Sequence, residues 1–122
     1  MNLEVTQKLT RDAVFDFIRQ QKTPPPEEQV AVEKRKYPRW PIGGIVEFWP
    51  ADGDWQSPWK GICKNISLGG LGITCDRHIE PQTLVGIIMS SANKSFHGLA
   101  TVRYCQKVRD KYMVGLEFNY YD

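Results

Sequence analysis

The sequence predicts a mostly β domain, a small barrel or sandwich, preceded by one short α-helix. Six short segments rich in β-branched and aromatic residues are separated by turns, a spacing typical of all-β folds. In the last segment Tyr112, Val114, Leu116 and Phe118 form one apolar face, and they alternate with Met113, Gly115 and Glu117. A length of 122 residues fits one domain with its own core. Closing the sheet into a barrel would remove strand edges that promote aggregation.

The helix is predicted over residues 10–21. Its residues Val14, Phe17 and Ile18 recur at helical spacing and form one apolar stripe, and Thr10 is suited to cap the first turn. The proline run at 24–26 ends the helix because proline lacks a backbone N–H. We therefore expect residues 1–32 to form an N-terminal helix with a Pro-rich linker, and residues 33–122 to form the β domain.

The six strands are predicted from β-prone runs bounded by turn residues. In chain order they cover residues 45–49, 59–66, 71–75, 83–89, 96–105 and 111–118. The polar stretch Pro50-Ala51-Asp52-Gly53-Asp54 separates the first two strands. The last two are expected to form a hairpin around residues 107–110.

Charge and composition limit the function classes. A net charge of +2 is too small to indicate binding of a nucleic acid polymer. No apolar run is long enough to insert into a membrane, and residues 1–8 lack the apolar core of a secretory signal, so we predict a cytoplasmic protein. The three cysteines are odd in number and lack CxxC spacing, which favours reduced and mostly buried thiols.

The sequence contains no recognisable catalytic or metal-binding arrangement. His78 and His97 are distant from each other and from any cluster of acidic residues and cysteines. Ser67 has no histidine nearby in the sequence, so its turn is better interpreted as a binding turn than as a nucleophile site. We predict a protein that is not an enzyme and that uses no cofactor or metal.

Two short motifs carry the functional interpretation. The first, Arg35-Lys36-Tyr37-Pro38-Arg39, places two arginines four residues apart, directly before the β region. A guanidinium fork matches the paired O6 and N7 acceptors of guanine, and a second arginine suits a phosphate. The second, Asn65-Ile66-Ser67-Leu68-Gly69-Gly70, is a polar turn whose glycines let the backbone approach a ligand. Alone, the arginines are more often solvated linker charges, so the hypothesis depends on both motifs together.

The two motifs resemble the signature of PilZ domains, RxxxR followed by (D/N)xSxxG. The following Leu71-Gly72-Ile73 and the closing Val114-Gly115-Leu116-Glu117-Phe118 also resemble that family, so the resemblance covers about residues 33–119. It implies a six-stranded β-barrel that binds the bacterial second messenger cyclic di-GMP. Arg35 and Arg39 are then expected to grip guanine edges and phosphates, Asn65 and Ser67 to contact the guanine, and Gly70 to allow the turn. Asn65 stands where many members have Asp, which removes a charge-assisted hydrogen bond.

Three further residues are predicted at the ligand site. Trp40 directly follows the arginine pair and is suited to stack on a base, although core packing is the ordinary role of tryptophan. Arg103 lies on a late predicted strand, where it either lines the ligand site or is an ordinary surface charge. Lys34 precedes Arg35, where family members with a cation tend to bind an intercalated dimer of cyclic di-GMP. Because lysine lacks the planar, forked guanidinium of arginine, the number of ligands bound per chain, one or two, remains open.

The predicted function is therefore a cyclic di-GMP receptor that signals through a change of shape or through contact with a protein partner. We expect binding to order residues 34–39, at a cost in conformational entropy. The alternatives are a PilZ-fold adaptor without nucleotide, acting in motility or secretion, and a small barrel that binds single-stranded nucleic acid. The modest net charge argues against the last. The helix either changes its contacts on binding or serves as static packing.

Overall fold

A computed structural model of the chain describes residues 6–19, 39–91 and 94–122, which form one helix and seven strands. The elements are β1 (Gln7–Lys8), α1 (Arg11–Arg19), β2 (Trp40–Pro50), β3 (Trp59–Ile66), β4 (Gly70–Cys75), β5 (Leu84–Ser91), β6 (Lys94–Val108) and β7 (Lys111–Asn119). All six predicted strands are confirmed; β2 and β6 are longer than predicted.

Strands β2 to β7 close into a six-stranded antiparallel barrel, which confirms the predicted fold class. The hydrogen-bonded order is β6-β5-β2-β3-β4-β7, and pairing of β6 with β7 closes the circle. The hairpin between these last two strands turns at Arg109 and Asp110, inside the predicted range. The two-residue β1 was not predicted, and it adds to the start of β6 in parallel.

Helix α1 packs against the barrel through the predicted stripe. Val14, Phe17 and Ile18 are all buried, and the ring of Phe17 meets the ring of Phe96 edge-on, with centroids 5.2 Å apart. The Ala13 amide donates to the Thr10 hydroxyl at 3.2 Å, so the predicted cap is confirmed. Fully burying each large apolar side chain contributes about 1.5–3 kcal/mol, which explains why so short a helix is stable here.

The barrel interior contains the inward-facing residues of every long strand. Its largest fully buried side chains include Phe48, Phe96, Ile66, Ile73, Ile87 and Met89. The three cysteines carry no disulfide, and burial raises the pKa of the Cys63 thiol to about 12. That thiol is consequently protonated near neutral pH, as expected of a structural cysteine.

Two observations concern other classes of site. With nine residues, α1 is too short for a bilayer span, and the described residues hold no other helix. Within residues 6–19, 39–91 and 94–122, no three His, Cys, Asp or Glu side chains are grouped as a metal site.

Candidate ligand-binding cleft

An open cleft of about 200 Å³ lies on the outer surface of the barrel, beside the turn that joins β3 to β4. It gathers five of the residues singled out in the sequence: Arg39, Asn65, Ser67, Gly70 and Arg103. Six more lining residues were not predicted as site residues: Gly69, Leu71, Tyr104, Gly115, Leu116 and Glu117. The cleft therefore combines residues that are separated by more than thirty positions in the chain.

The floor of the cleft is built on a row of four residues that face one another across four strands; three of them line the cleft, and the fourth, Gly72, lies beneath the Asn65 side chain. The register pairs Asn65 with Gly72, Gly72 with Gly115, and Gly115 with Tyr104. The Asn65 side chain covers Gly72, because a Cβ built there would lie 2.7 Å from its Oδ1 atom. The Tyr104 ring covers Gly115, where a Cβ would lie 2.2 Å from a ring carbon. Because these two glycines have no side chains, the Asn65 amide and the Tyr104 ring can lie directly on the backbone and leave the floor low.

Two β-bulges bring the amide and the ring to the cleft. One interrupts the register of β3 between Cys63 and Asn65, and the other interrupts β6 between Val102 and Tyr104. A bulge inserts one residue into a strand, so two consecutive side chains point to the same face. Val102 is fully buried, whereas Arg103 and Tyr104 are both exposed. Strict alternation would have turned Tyr104 into the barrel.

The Ser67–Gly70 turn is held by the serine side chain itself. The amides of Gly69 and Gly70 donate to the Ser67 hydroxyl at 3.0 and 3.2 Å, and the Ser67 amide donates to the Gly70 carbonyl at 2.9 Å. A hydroxyl has two acceptor positions and one donor, so accepting two hydrogen bonds leaves its O–H to donate. Ser67 therefore shapes the turn first, and has one donor left for a ligand.

Gly70 is required for a different reason from the one expected. The sequence suggested that it allows the turn and lets the backbone approach a ligand, and none of the described glycines has a positive φ. Instead, a Cβ at Gly70 would lie 1.8 Å from the carbonyl oxygen of Leu116 on the neighbouring β7. The glycine permits close approach of two strands rather than an unusual backbone angle.

One wall of the cleft carries an ion pair. The Arg103 guanidinium donates to the Glu117 carboxylate at 2.5 Å and to the side-chain oxygen of Gln82 at 3.4 Å. The hydrogen bond and the charge of Glu117 raise the pKa of Arg103. The carboxylate opposes an anionic ligand, and Arg103 offsets part of that repulsion.

The remaining predicted site residues lie elsewhere. Trp40 begins β2, pairs with Ile66, and packs partly against the core; it is not among the residues that line the cleft, so its stacking role remains a prediction. Lys34 and Arg35 lie outside the described residues, as does most of the predicted arm. Of that arm, only Arg39 is described, at the edge of the cleft before β2.

Three of the lining residues that sequence reasoning missed share one cause. Tyr104, Gly115 and Glu117 reach the cleft only because β7 pairs with β4 on one side and β6 on the other. A local signal did exist for one of them. Arg103 and Tyr104 stand together between apolar Val102 and Cys105, which breaks the alternation and indicates a bulge.

Residues 33–122 match the PilZ domain family. The chain belongs to that family. No curated protein sequence is significantly similar to it.

Solved structures of PilZ proteins share the fold of this chain. The PilZ domain of YcgR from Escherichia coli, solved with c-di-GMP, is 15% identical with a TM-score of 0.58, over 70% of this chain and 78% of that one. The MrkH–c-di-GMP complex of K. pneumonia is 12% identical, with a TM-score of 0.61, over 74% and 45%. MotI, an inhibitor of motility from Bacillus subtilis, is 18% identical, with a TM-score of 0.58, over 71% and 43%. The matched region spans less than half of the MotI and MrkH chains. At these identities the likeness concerns the fold.

Proposed function

We propose that this PilZ domain is a cytoplasmic bacterial receptor that binds cyclic di-GMP in the described cleft. Occupancy is passed on as a change of shape or as contact with a protein partner, and the domain performs no catalysis. The observation that carries the proposal is the meeting of Arg39, Asn65, Ser67 and Arg103 around a floor lowered by glycines.

The chemistry of the cleft suits the ligand. Cyclic di-GMP has two guanines and two negative charges, so it favours planar cations together with a few neutral donors and acceptors. Arg39 supplies a guanidinium fork, Asn65 supplies an amide for the guanine edge, and Ser67 supplies one O–H donor. The Tyr104 ring offers a face on which a base can stack.

Titration calorimetry with cyclic di-GMP tests the proposal. Wild type is expected to bind, and Arg39→Ala is expected to lose about ten- to hundredfold in affinity, since a bidentate guanidinium–guanine contact contributes about 1–3 kcal/mol. Arg39→Lys should not restore full affinity because the fork is lost. Lys60→Ala is the matched control, because it removes an exposed cation that does not line the cleft.

Two further outcomes separate the alternatives. Binding of an unrelated oligonucleotide in preference to cyclic di-GMP would favour a single-strand nucleic-acid binder. Absence of binding to either would contradict the receptor assignment and favour an adaptor with the PilZ fold. Native mass spectrometry of the complex then counts one or two ligands per chain.

A further inference from the structure

The segment formed by residues 118–122 contacts the ligand turn on one side. The Phe118 amide donates to the Gly69 carbonyl at 2.9 Å, and the Tyr120 hydroxyl donates to the Leu68 carbonyl. Both acceptors lie at the tip of the turn whose ends, Ser67 and Gly70, line the cleft. The position of this turn is therefore fixed partly from outside the cleft.

The same segment contacts the start of α1 on its other side. The Arg11 guanidinium lies 4.9 Å from the centre of the Tyr120 ring, and it donates to the backbone oxygen of Asp122 at 2.5 Å. The Tyr121 amide donates to the Leu9 carbonyl at 3.0 Å. A guanidinium over an aromatic face is attracted electrostatically to the ring.

A ladder of aromatic rings makes a second connection. From Tyr120 the ring centroids step 5.5 Å to Phe118, 5.6 Å to Phe96 and 5.2 Å to Phe17 on α1. Each spacing lies within the range for attractive aromatic pairs. Tyr120 therefore takes part in two connections to α1, one through Arg11 and one through the series of aromatic rings that leads to Phe17.

A groove of about 310 Å³ separates α1 from the turn beside these contacts. Arg11, Phe15, Leu68 and Tyr120 are among its lining residues, and Phe15 is 53% exposed. Helix and turn are thus not closely packed together along this groove. The contacts of Tyr120 cross from one to the other.

We propose that Tyr120 is a positioning residue that couples occupancy of the cleft to the docking of α1 on the barrel. The inference deepens the proposed function and rests on cyclic di-GMP being the ligand of this site. With α1 docked, Arg11 and Phe118 hold Tyr120, and Tyr120 holds the Leu68–Gly69 tip in its binding shape. Coupling is reciprocal, so a ligand that needs the ordered turn also stabilises the docked helix.

The test compares full-length chains carrying Tyr120→Phe and Tyr121→Phe. The first removes only the hydroxyl that reaches Leu68, and the second makes the same change on a neighbouring tyrosine that is 59% exposed. Calorimetry is expected to show about three- to tenfold weaker cyclic di-GMP binding for Tyr120→Phe, the effect of one lost hydrogen bond. Tyr121→Phe is expected to bind as wild type does.

Hydrogen exchange of residues 10–19, measured with and without ligand, distinguishes coupling from simple packing. A residue that only packs locally would not change the effect of the ligand on exchange in α1. In wild type, cyclic di-GMP is expected to slow exchange there, and in Tyr120→Phe most of this protection should be lost. Arg11→Lys keeps the charge but removes the guanidinium that lies over the Tyr120 ring and donates to Asp122, and it is expected to act in the same direction. Arg19→Lys, at the other end of α1, is its control.

The outcomes separate the two proposals. If wild type binds cyclic di-GMP and Tyr120→Phe matches Tyr121→Phe in affinity and exchange, the coupling is refuted and the receptor assignment stands. If wild type binds no cyclic di-GMP, the receptor assignment fails and ligand-free exchange decides the coupling. In that case Tyr120→Phe must speed exchange both at Gly69–Gly70 and in residues 10–19; a change confined to the turn overturns it.

Discussion

Gly70 and Gly72 lie two residues apart on β4, yet adding a methyl group should affect stability at the first position and ligand binding at the second. At Gly70 the new Cβ would lie 1.8 Å from the Leu116 carbonyl oxygen, a backbone atom. At Gly72 it would lie 2.7 Å from the Asn65 side-chain oxygen, the far end of a movable side chain. The first change must move a strand, whereas the second has only to displace an amide.

The distances set the expected magnitudes. Carbon and oxygen atoms rarely approach within about 3.3 Å, so Gly70→Ala has to separate β4 from β7 by roughly 1.5 Å. We expect the free energy of unfolding to fall by about 3 kcal/mol or more. Gly72→Ala should lower it by less than about 1 kcal/mol, but it displaces Asn65 and should weaken cyclic di-GMP binding about fivefold.

Gly43→Ala is the matched control, because nothing lies within 4 Å of a Cβ built at that position. Its stability should be unchanged or higher by about 0.4–1 kcal/mol, through a less flexible unfolded chain. Urea denaturation measures the stability of the three variants, and calorimetry measures their affinity. A Gly70→Ala protein as stable as Gly43→Ala would refute the close approach of β4 to β7. Gly72→Ala binding as tightly as Gly43→Ala would show that the position of Asn65 is immaterial.

Three other perturbations test the cleft and the fold. Glu117→Gln should tighten cyclic di-GMP binding about two- to fivefold at low salt, because it removes a negative charge that repels the anionic ligand and frees Arg103 from its ion pair. Calorimetry should show this gain in affinity shrinking as the salt concentration rises. Tyr104→Leu should weaken binding about fivefold or more by removing a stacking face, while Trp55→Leu, an exposed aromatic outside the cleft, should not. Burial, with a smaller effect of Lys8, lowers the pKa of His97 below its ordinary value of 6.5, so the unfolded state binds the proton more readily and stability should fall as the pH drops through that value. Denaturation from about pH 7 to about pH 5 should show a flatter decline in His97→Gln.

The barrel was predictable because its strands are signalled locally. Alternation and turn residues located every strand of the barrel, and the apolar spacing of Val14, Phe17 and Ile18 located α1 and its buried face. The two-residue β1 was missed because Gln7 and Lys8 are polar and exposed. It is held instead by its neighbour Leu9, which is fully buried and donates its amide to the His97 carbonyl at 2.8 Å.

The cleft was predictable only in part, because only part of it is local in sequence. Asn65, Ser67 and Gly70 lie at the end of β3 and in the turn that follows it, so a short motif was enough to find them. Tyr104 and Glu117 reach the cleft through strand pairing, which a pattern of alternation does not specify; only the bulge before Tyr104 has a local signal. The reason for Gly70 was equally hidden, since it depends on a carbonyl 46 positions further along the chain, at Leu116.

Closure of the barrel and formation of the cleft both depend on the pairing of β4 with β7. The floor exists because Gly72 on β4 faces Gly115 on β7, and the Ser67–Gly70 turn meets β7 through the Gly69 carbonyl. Any opening between β4 and β7 would therefore separate Asn65 from Tyr104 as well as unpair the strands. A ligand that spans the floor binds only the closed barrel. It must therefore stabilise the folded state, by a free energy that grows with the ratio of its concentration to its Kd. Under the proposed function, thermal stability is expected to rise with the concentration of cyclic di-GMP, and the rise should be smaller in variants that disturb the pairing of β4 with β7.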